Sequence, residues 1–190
     1  MNGRAIVDMK INHLIDSNDV IISLDVDEML YDKLQQLIAT GFHVVEINGI
    51  NSSLLTSVIH AYPRLKVGVG GILNTQQLEE AYLAGAHFAT SPGFLPELVK
   101  TAEVYSINYM PGVATPSEAM HAFSLGCQHV RPYPATYAFC NLLNKMIPLL
   151  HLFPAEIEWQ DALRFLNIPS VSGVSVLNPV IEQLSVSLEL

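Results

Sequence analysis

The sequence predicts an α/β protein built on parallel strands. Three observations carry that expectation: eight short β-branched or apolar runs, helical patterns with readable ends between them, and no linker or change of composition along the chain. The runs are Val20–Asp25, His43–Glu46, Lys66–Val69, His87–Thr90, Ile107–Met110, His129–Tyr133, His151–Phe153 and Val171–Val174. Their starts lie roughly 20–24 residues apart, room for one strand, one helix and two short loops. Eight βα units in series argue for one parallel sheet, and the count favours closure into a compact (β/α)8 barrel, with an open doubly wound sheet as the alternative. One domain spanning residues 1–190 is expected.

Taken in order, the first ~16 residues place Ile6, Met9, Ile11, Leu14 and Ile15 on an apolar stripe, which suggests an extra N-terminal amphipathic helix able to plug the barrel bottom. Gly41, Gly85 and Gly126 each precede the next strand by one or two residues, as left-handed helix caps do. Asn74-Thr75-Gln76-Gln77 reads as a helix start. Thr115-Pro116-Ser117-Glu118 is a stronger one, a capping box with proline at the first helical position. Trp159 falls in the helix expected after the seventh strand, as a core or interface residue. No segment is of low complexity.

At 190 residues and 20.9 kDa the chain is long enough to bury a sizeable core. A (β/α)8 barrel typically takes about 250 residues, so this one has its loops trimmed to a minimum. Half the residues are apolar and 14% are charged, which excludes a disordered chain. No apolar run reaches the ~20 residues of a membrane span. The net charge of −9 disfavours nucleic acid and anionic membranes as partners. Cys127 and Cys140 lack CxxC spacing and no export signal is visible, so a cytoplasmic location is expected.

Gly41-Phe42-His43, Gly85-Ala86-His87 and Gly126-Cys127-Gln128-His129 place a histidine at three strand starts. These positions are at the end of the strands opposite to barrel chemistry, and no HxH, HxxxH or nearby carboxylate completes a ligand set. Packing or hydrogen bonding at the bottom rim is the expected role. No metal site and no cofactor are predicted.

Chemistry on a barrel belongs at the carboxyl ends of the strands. Those ends carry Asp25, Glu46 with Asn48, Gly70 and Gly71, Ser91-Pro92-Gly93, Pro111-Gly112, Arg131 with Tyr133, Pro154 and Ser175. Five blocks there are distinctive: Gly41 to Glu46, Val67 to Asn74 (Val-Gly-Val-Gly-Gly-Ile-Leu-Asn), Ala84 to Gly93, Met110 to Glu118 (Met-Pro-Gly-Val-Ala-Thr-Pro-Ser-Glu) and Val130 to Ala135. In these blocks the sequence resembles the bacterial 2-keto-3-deoxy-6-phosphogluconate/4-hydroxy-2-oxoglutarate aldolases, class I lyases on a (β/α)8 barrel. The blocks follow the family's order and spacing from about residue 20 to residue 135, and the match fades beyond residue 140. The resemblance implies a small 2-keto-acid or sugar-acid ligand, a homotrimer, Glu46 as general acid/base, and Gly71, Pro92, Tyr133 and Ser175 around the substrate.

The chain departs from the family at informative places. Arg131 occupies the position of the family's Schiff-base lysine, and a guanidinium that stays charged does not form an imine. The family's carboxylate-binding arginine has no counterpart in Ile47-Asn48-Gly49-Ile50-Asn51, its threonine after strand three is Gly71, and its phosphate-binding glycine pair is replaced by Ala155-Glu156-Ile157. Only Gly173 and Ser175 resemble the last phosphate element. No other lysine substitutes: alternation sets Val67, Val69 and Gly71 on one face and Lys66 on the other, at the wrong end, while Lys10, Lys33, Lys100 and Lys145 belong to helices or helix ends. Glu46 and Arg131 therefore form the charged pair of the pocket, and three roles follow. They bridge each other structurally; or Arg131 forks a ligand carboxylate beside an apolar wall of Pro92 and Tyr133; or Glu46 shuttles a proton while Arg131 stabilises an enolate. The corresponding functions are an aldolase-family protein without Schiff-base chemistry, a non-catalytic carboxylate-binding or scaffold protein, and a proton-transfer enzyme.

Overall fold

The computed structural model of the chain describes residues 20–180 and residue 182. Nine strand segments alternate with helices. They are β1 (Val20–Leu24), β2 (Val44–Asn48), β3 (Lys66–Gly70), β4 (Phe88–Thr90), β5 (Asn108–Met110), β6 (Gly112–Val113), β7 (His129–Pro132), β8 (His151–Leu152) and β9 (Val174–Leu177). Helices α1 (Leu30–Thr40), α2 (Ser52–Ala61), α3 (Thr75–Leu83) and α4 (Pro96–Tyr105) follow β1 to β4. Helices α5 (Pro116–Ser124), α6 (Tyr137–Met146) and α7 (Ala162–Leu166) follow β6 to β8. The expected N-terminal helix lies outside the described residues. Among those residues, no helix is long and apolar enough to cross a membrane.

Every strand pairing is parallel, and the sheet is curled. One arc runs β5-β4-β3-β2-β1-β9 and the other β6-β7-β8. The break between β5 and β6 falls at Pro111, which has no N–H to give a neighbour, although its carbonyl still accepts the Arg131 N–H at 2.9 Å. At the other end of the second arc, the Ser172 N–H donates to Leu152 O at 2.9 Å and the Ser175 N–H to Pro154 O at 2.8 Å.

Two sequence expectations need correction. The last strand is Val174–Leu177 rather than Val171–Val174, because pairing with β1 sets Val174 opposite Val20; Val171 keeps only an isolated bridge to Leu152. In β3 the pocket face is carried by Gly68 and Gly70, while Val67 and Val69 join the apolar layer under the helices. Lys66 has the inward parity but stands at the opposite end from the site.

The helix ends follow the sequence. Thr115 Oγ1 accepts the Glu118 N–H at 3.2 Å and Glu118 Oε2 accepts the Thr115 N–H at 3.0 Å, closing the capping box. Asn74 caps α3 through the Gln77 N–H at 3.0 Å. Gly41, Gly85 and Gly126 have φ of 87°, 88° and 93°, the left-handed caps that their spacing predicts. Trp159 starts a 3-10 turn before α7 and packs edge-on against Phe42.

Inside the curl the side chains stack in layers, as alternation along parallel strands requires. The lower layer is apolar: Ile21, Val44, Phe88, Met110 and Phe153 form their own buried cluster. Gly68 admits the Phe88 ring there, since a Cβ at residue 68 would meet Phe88 Cε2 at 2.2 Å. The next layer up is polar, and it holds the candidate site.

Candidate functional site

Moving two residues along the strands from Ile21, Val44, Gly68 and Phe88 leads to Ser23 on β1, Glu46 on β2, Gly70 on β3 and Thr90 on β4, and Arg131 on β7 and Ser175 on β9 join them through hydrogen bonds. Glu46 lies within its strand rather than at its end, one layer beneath the mouth. Its side chain is fully buried, and Arg131 is 8% exposed. A buried carboxylate persists only if it is paired and hydrogen-bonded. Glu46 meets both conditions: Arg131 Nη1 donates to Oε2 at 2.5 Å, Thr90 Oγ1 donates to Oε2 at 2.8 Å, and Ser23 Oγ donates to Oε1 at 3.0 Å.

The guanidinium is less fully engaged. Nη1 serves Glu46 and, at 3.3 Å, Thr90 Oγ1, whereas Nη2 has a single long bond of 3.4 Å to Ser175 Oγ. Gly70 makes the pair possible, because a Cβ there would meet Asn48 Oδ1 at 2.5 Å and Glu46 Cδ at 2.9 Å.

Above this layer opens a cleft of about 370 Å³, within the range of small-ligand sites. It is lined by Glu46, Arg131, Gly71, Pro92 and Tyr133 together with Thr90, Asp25, Asn48 and Glu156. Of the residues expected around a substrate, Gly71, Pro92 and Tyr133 thus share one cleft with the charged pair, while Ser175 touches Arg131 from within the polar layer. Asp25 is held by amides: Asn48 Nδ2 donates to Oδ1 at 2.8 Å and Asn178 Nδ2 to Oδ2 at 2.7 Å. Among the described residues no lysine lines the cleft: Lys33, Lys100 and Lys145 lie on helices, and Lys10 falls outside them.

Sequence reading missed Ser23, Thr90 and Asn178. A polar residue on the inward parity of an apolar strand, as in Val-Ile-Ile-Ser-Leu, is the signal that could have found the first two.

The histidines sit at the other end of the strands. His87 Nδ1 lies 3.1 Å from the Val67 backbone nitrogen and His43 Nδ1 lies 3.3 Å from Gly41 O. His129 stacks on His151 at 5.4 Å and lies against Phe153; its buried Nε2 has no hydrogen-bond partner. Burial, and then the neighbouring His151, push the His129 pKa down to about 4. Among the described residues no group of three His, Cys, Asp or Glu side chains could hold a metal ion.

These features define a parallel α/β protein with a polar cleft at the carboxyl ends of its strands, where this architecture binds small molecules. Residues 11–175 match the family described as KDPG and KHG aldolase, and the chain belongs to that family. The KHG/KDPG aldolase of Escherichia coli K12 is 37% identical over 103 residues, 52% of this chain and 48% of the relative, so the chain spans about half the length of that relative. The 2-dehydro-3-deoxy-phosphogluconate aldolase of Pseudoalteromonas atlantica is 34% identical over 154 residues, 75% of this chain and 71% of the relative. Among solved structures, the Legionella pneumophila KDPG aldolase, with pyruvate captured as a covalent carbinolamine, has a TM-score of 0.78 at 24% identity, covering 93% of this chain and 86% of that one. At that identity the likeness is one of fold.

Proposed function

We propose that the chain is a closed (β/α)8 barrel of the aldolase family that binds a small 2-keto acid or sugar acid non-covalently, its carboxylate on Arg131, without Schiff-base chemistry. The supporting observation is the occupant of the polar layer. Where a class I aldolase needs an amine that can become neutral, the cleft presents a guanidinium bonded to a buried carboxylate. Such a group stays protonated and makes no imine, but it forks a carboxylate well. Nη2, with its one long bond to Ser175, is the donor available to a ligand. Pyruvate binds covalently in the Legionella relative; here it would be held as a free keto acid. A proton-transfer role for Glu46 has less support, since both its oxygens already accept buried hydrogen bonds.

Barrel closure is supported by the Pro111–Arg131 and Pro154–Ser175 backbone bonds, which link the two arcs at both ends. Assembly as a cytoplasmic homotrimer belongs to the same proposal; exposed Leu83, Val104 and Leu149 offer apolar surface for subunit contact.

Thermal unfolding with pyruvate and a series of 2-keto and sugar acids tests the binding claim. A ligand at 100 times its Kd adds about 2.7 kcal/mol, which raises the midpoint by about 5–11 °C for a domain of this size. That rise is expected for at least one short keto or sugar acid and is lost in Arg131→Gln. No rise with any member of the series overturns the proposal.

A further inference from the structure

The rim of the cleft carries charge that the Glu46–Arg131 layer does not explain. Asp25 and Glu156 line it, so three carboxylates face one guanidinium, and Nη1 of that guanidinium is already committed to Glu46. The Asp25 carboxylate accepts from the neutral amides of Asn48 and Asn178, and no ion pair among the described residues neutralises it or Glu156. Glu156 holds its place with φ of 55°, in the left-handed region that non-glycine residues seldom adopt.

Several backbone donors of the rim are likewise closed to a second anion. A phosphate group is normally received by free N–H groups or by cations. On either side of Glu156, the Ala155 N–H donates to Pro132 O at 3.1 Å and the Ile157 N–H to Ser175 O at 2.8 Å. The Ser175 N–H is bound to Pro154 O at 2.8 Å, the Asn178 N–H to Ser23 O at 2.7 Å and the Asp25 N–H to Asn178 Oδ1 at 2.9 Å. Each of these donors has a partner inside the protein.

The geometry points to a ligand with one anionic group only: an unphosphorylated hydroxy- or oxo-carboxylate, its carboxylate on Arg131 and its hydroxyl groups donating to Asp25 and Glu156. A phosphate ester of the same skeleton is rejected by the two rim carboxylates. This assignment rests on the proposed binding of keto or sugar acids and adds the discrimination against phosphate.

Calorimetric titration of the full chain with matched pairs tests it: glycerate against 3-phosphoglycerate, and 2-keto-3-deoxygluconate against its 6-phosphate. At low ionic strength the unphosphorylated member of at least one pair should bind at least about tenfold more tightly. That ratio should shrink in high salt, which screens exposed charges, and in Glu156→Gln and Asp25→Asn. Equal or tighter binding of the phosphate ester overturns the inference and leaves the proposed function standing. Failure of both members of both pairs to bind overturns the inference, and the pyruvate and keto-acid series then decides the proposed function. A ratio that neither substitution nor salt alters contradicts the assignment to rim charge.

Discussion

Replacing Arg131→Met removes the guanidinium while keeping much of its apolar length. Glu46, fully buried, then loses its 2.5 Å partner. Thr90 and Ser175 lose their contacts to the guanidinium as well. Breaking a buried ion pair from one side costs about 3–5 kcal/mol, because the remaining charge is uncompensated. Ser23 and Thr90 still donate to the carboxylate, which places the expected loss toward the lower end, about 3 kcal/mol. For a domain of this size that lowers the unfolding midpoint by about 6–12 °C. Urea unfolding of wild type, Arg131→Met, Glu46→Gln and the double variant closes a thermodynamic cycle. The two residues should show a coupling of at least about 1.5 kcal/mol, with the double variant costing less than the sum of the singles. A loss below about 1 kcal/mol in Arg131→Met, with additive singles, would refute the reading of the pair as a buried, mutually dependent unit.

Two further outcomes follow from other residues. Gly70→Ala should destabilise by about 1–3 kcal/mol and weaken ligand binding, since its Cβ would press on the Asn48 and Glu46 side chains; a variant with unchanged stability and affinity would show that this close approach is unnecessary. His129 has a folded-state pKa depressed to about 4 against an ordinary 6.5, so the unfolded chain binds its proton first as the pH falls. Its contribution is fully present above pH 6.5 and declines toward pH 4, on the order of 3 kcal/mol in all. Urea unfolding between pH 7 and pH 4 should therefore show a steeper loss in wild type than in His129→Leu, and parallel curves would contradict it.

The strands were legible because both faces of a parallel strand are buried, which leaves β-branched runs such as Val-Ile-Ile-Ser-Leu and Val-Val-Glu-Ile-Asn in plain view. The same double burial hid which face points inward. Val67 and Val69 are apolar and pack under helices, while the interior side of β3 is marked by two glycines whose missing side chains make room for Phe88 and Glu46. Glu46 and Arg131 stood out as charges in apolar surroundings. Ser23 and Thr90 did not, since a hydroxyl in a strand gains its meaning from register with Glu46 on a neighbouring or facing strand. The register of the last strand was equally illegible, being decided by pairing with β1 across more than 150 residues of chain, as Val20 opposite Val174 shows.

Whether any amine in this chain engages a keto acid decides between covalent and non-covalent binding. Incubation of the full chain with pyruvate and borohydride, followed by intact-mass measurement and peptide mapping, reads this directly. Non-covalent binding at Arg131 leaves the protein unmodified. A reduced pyruvate adduct on any lysine would contradict it.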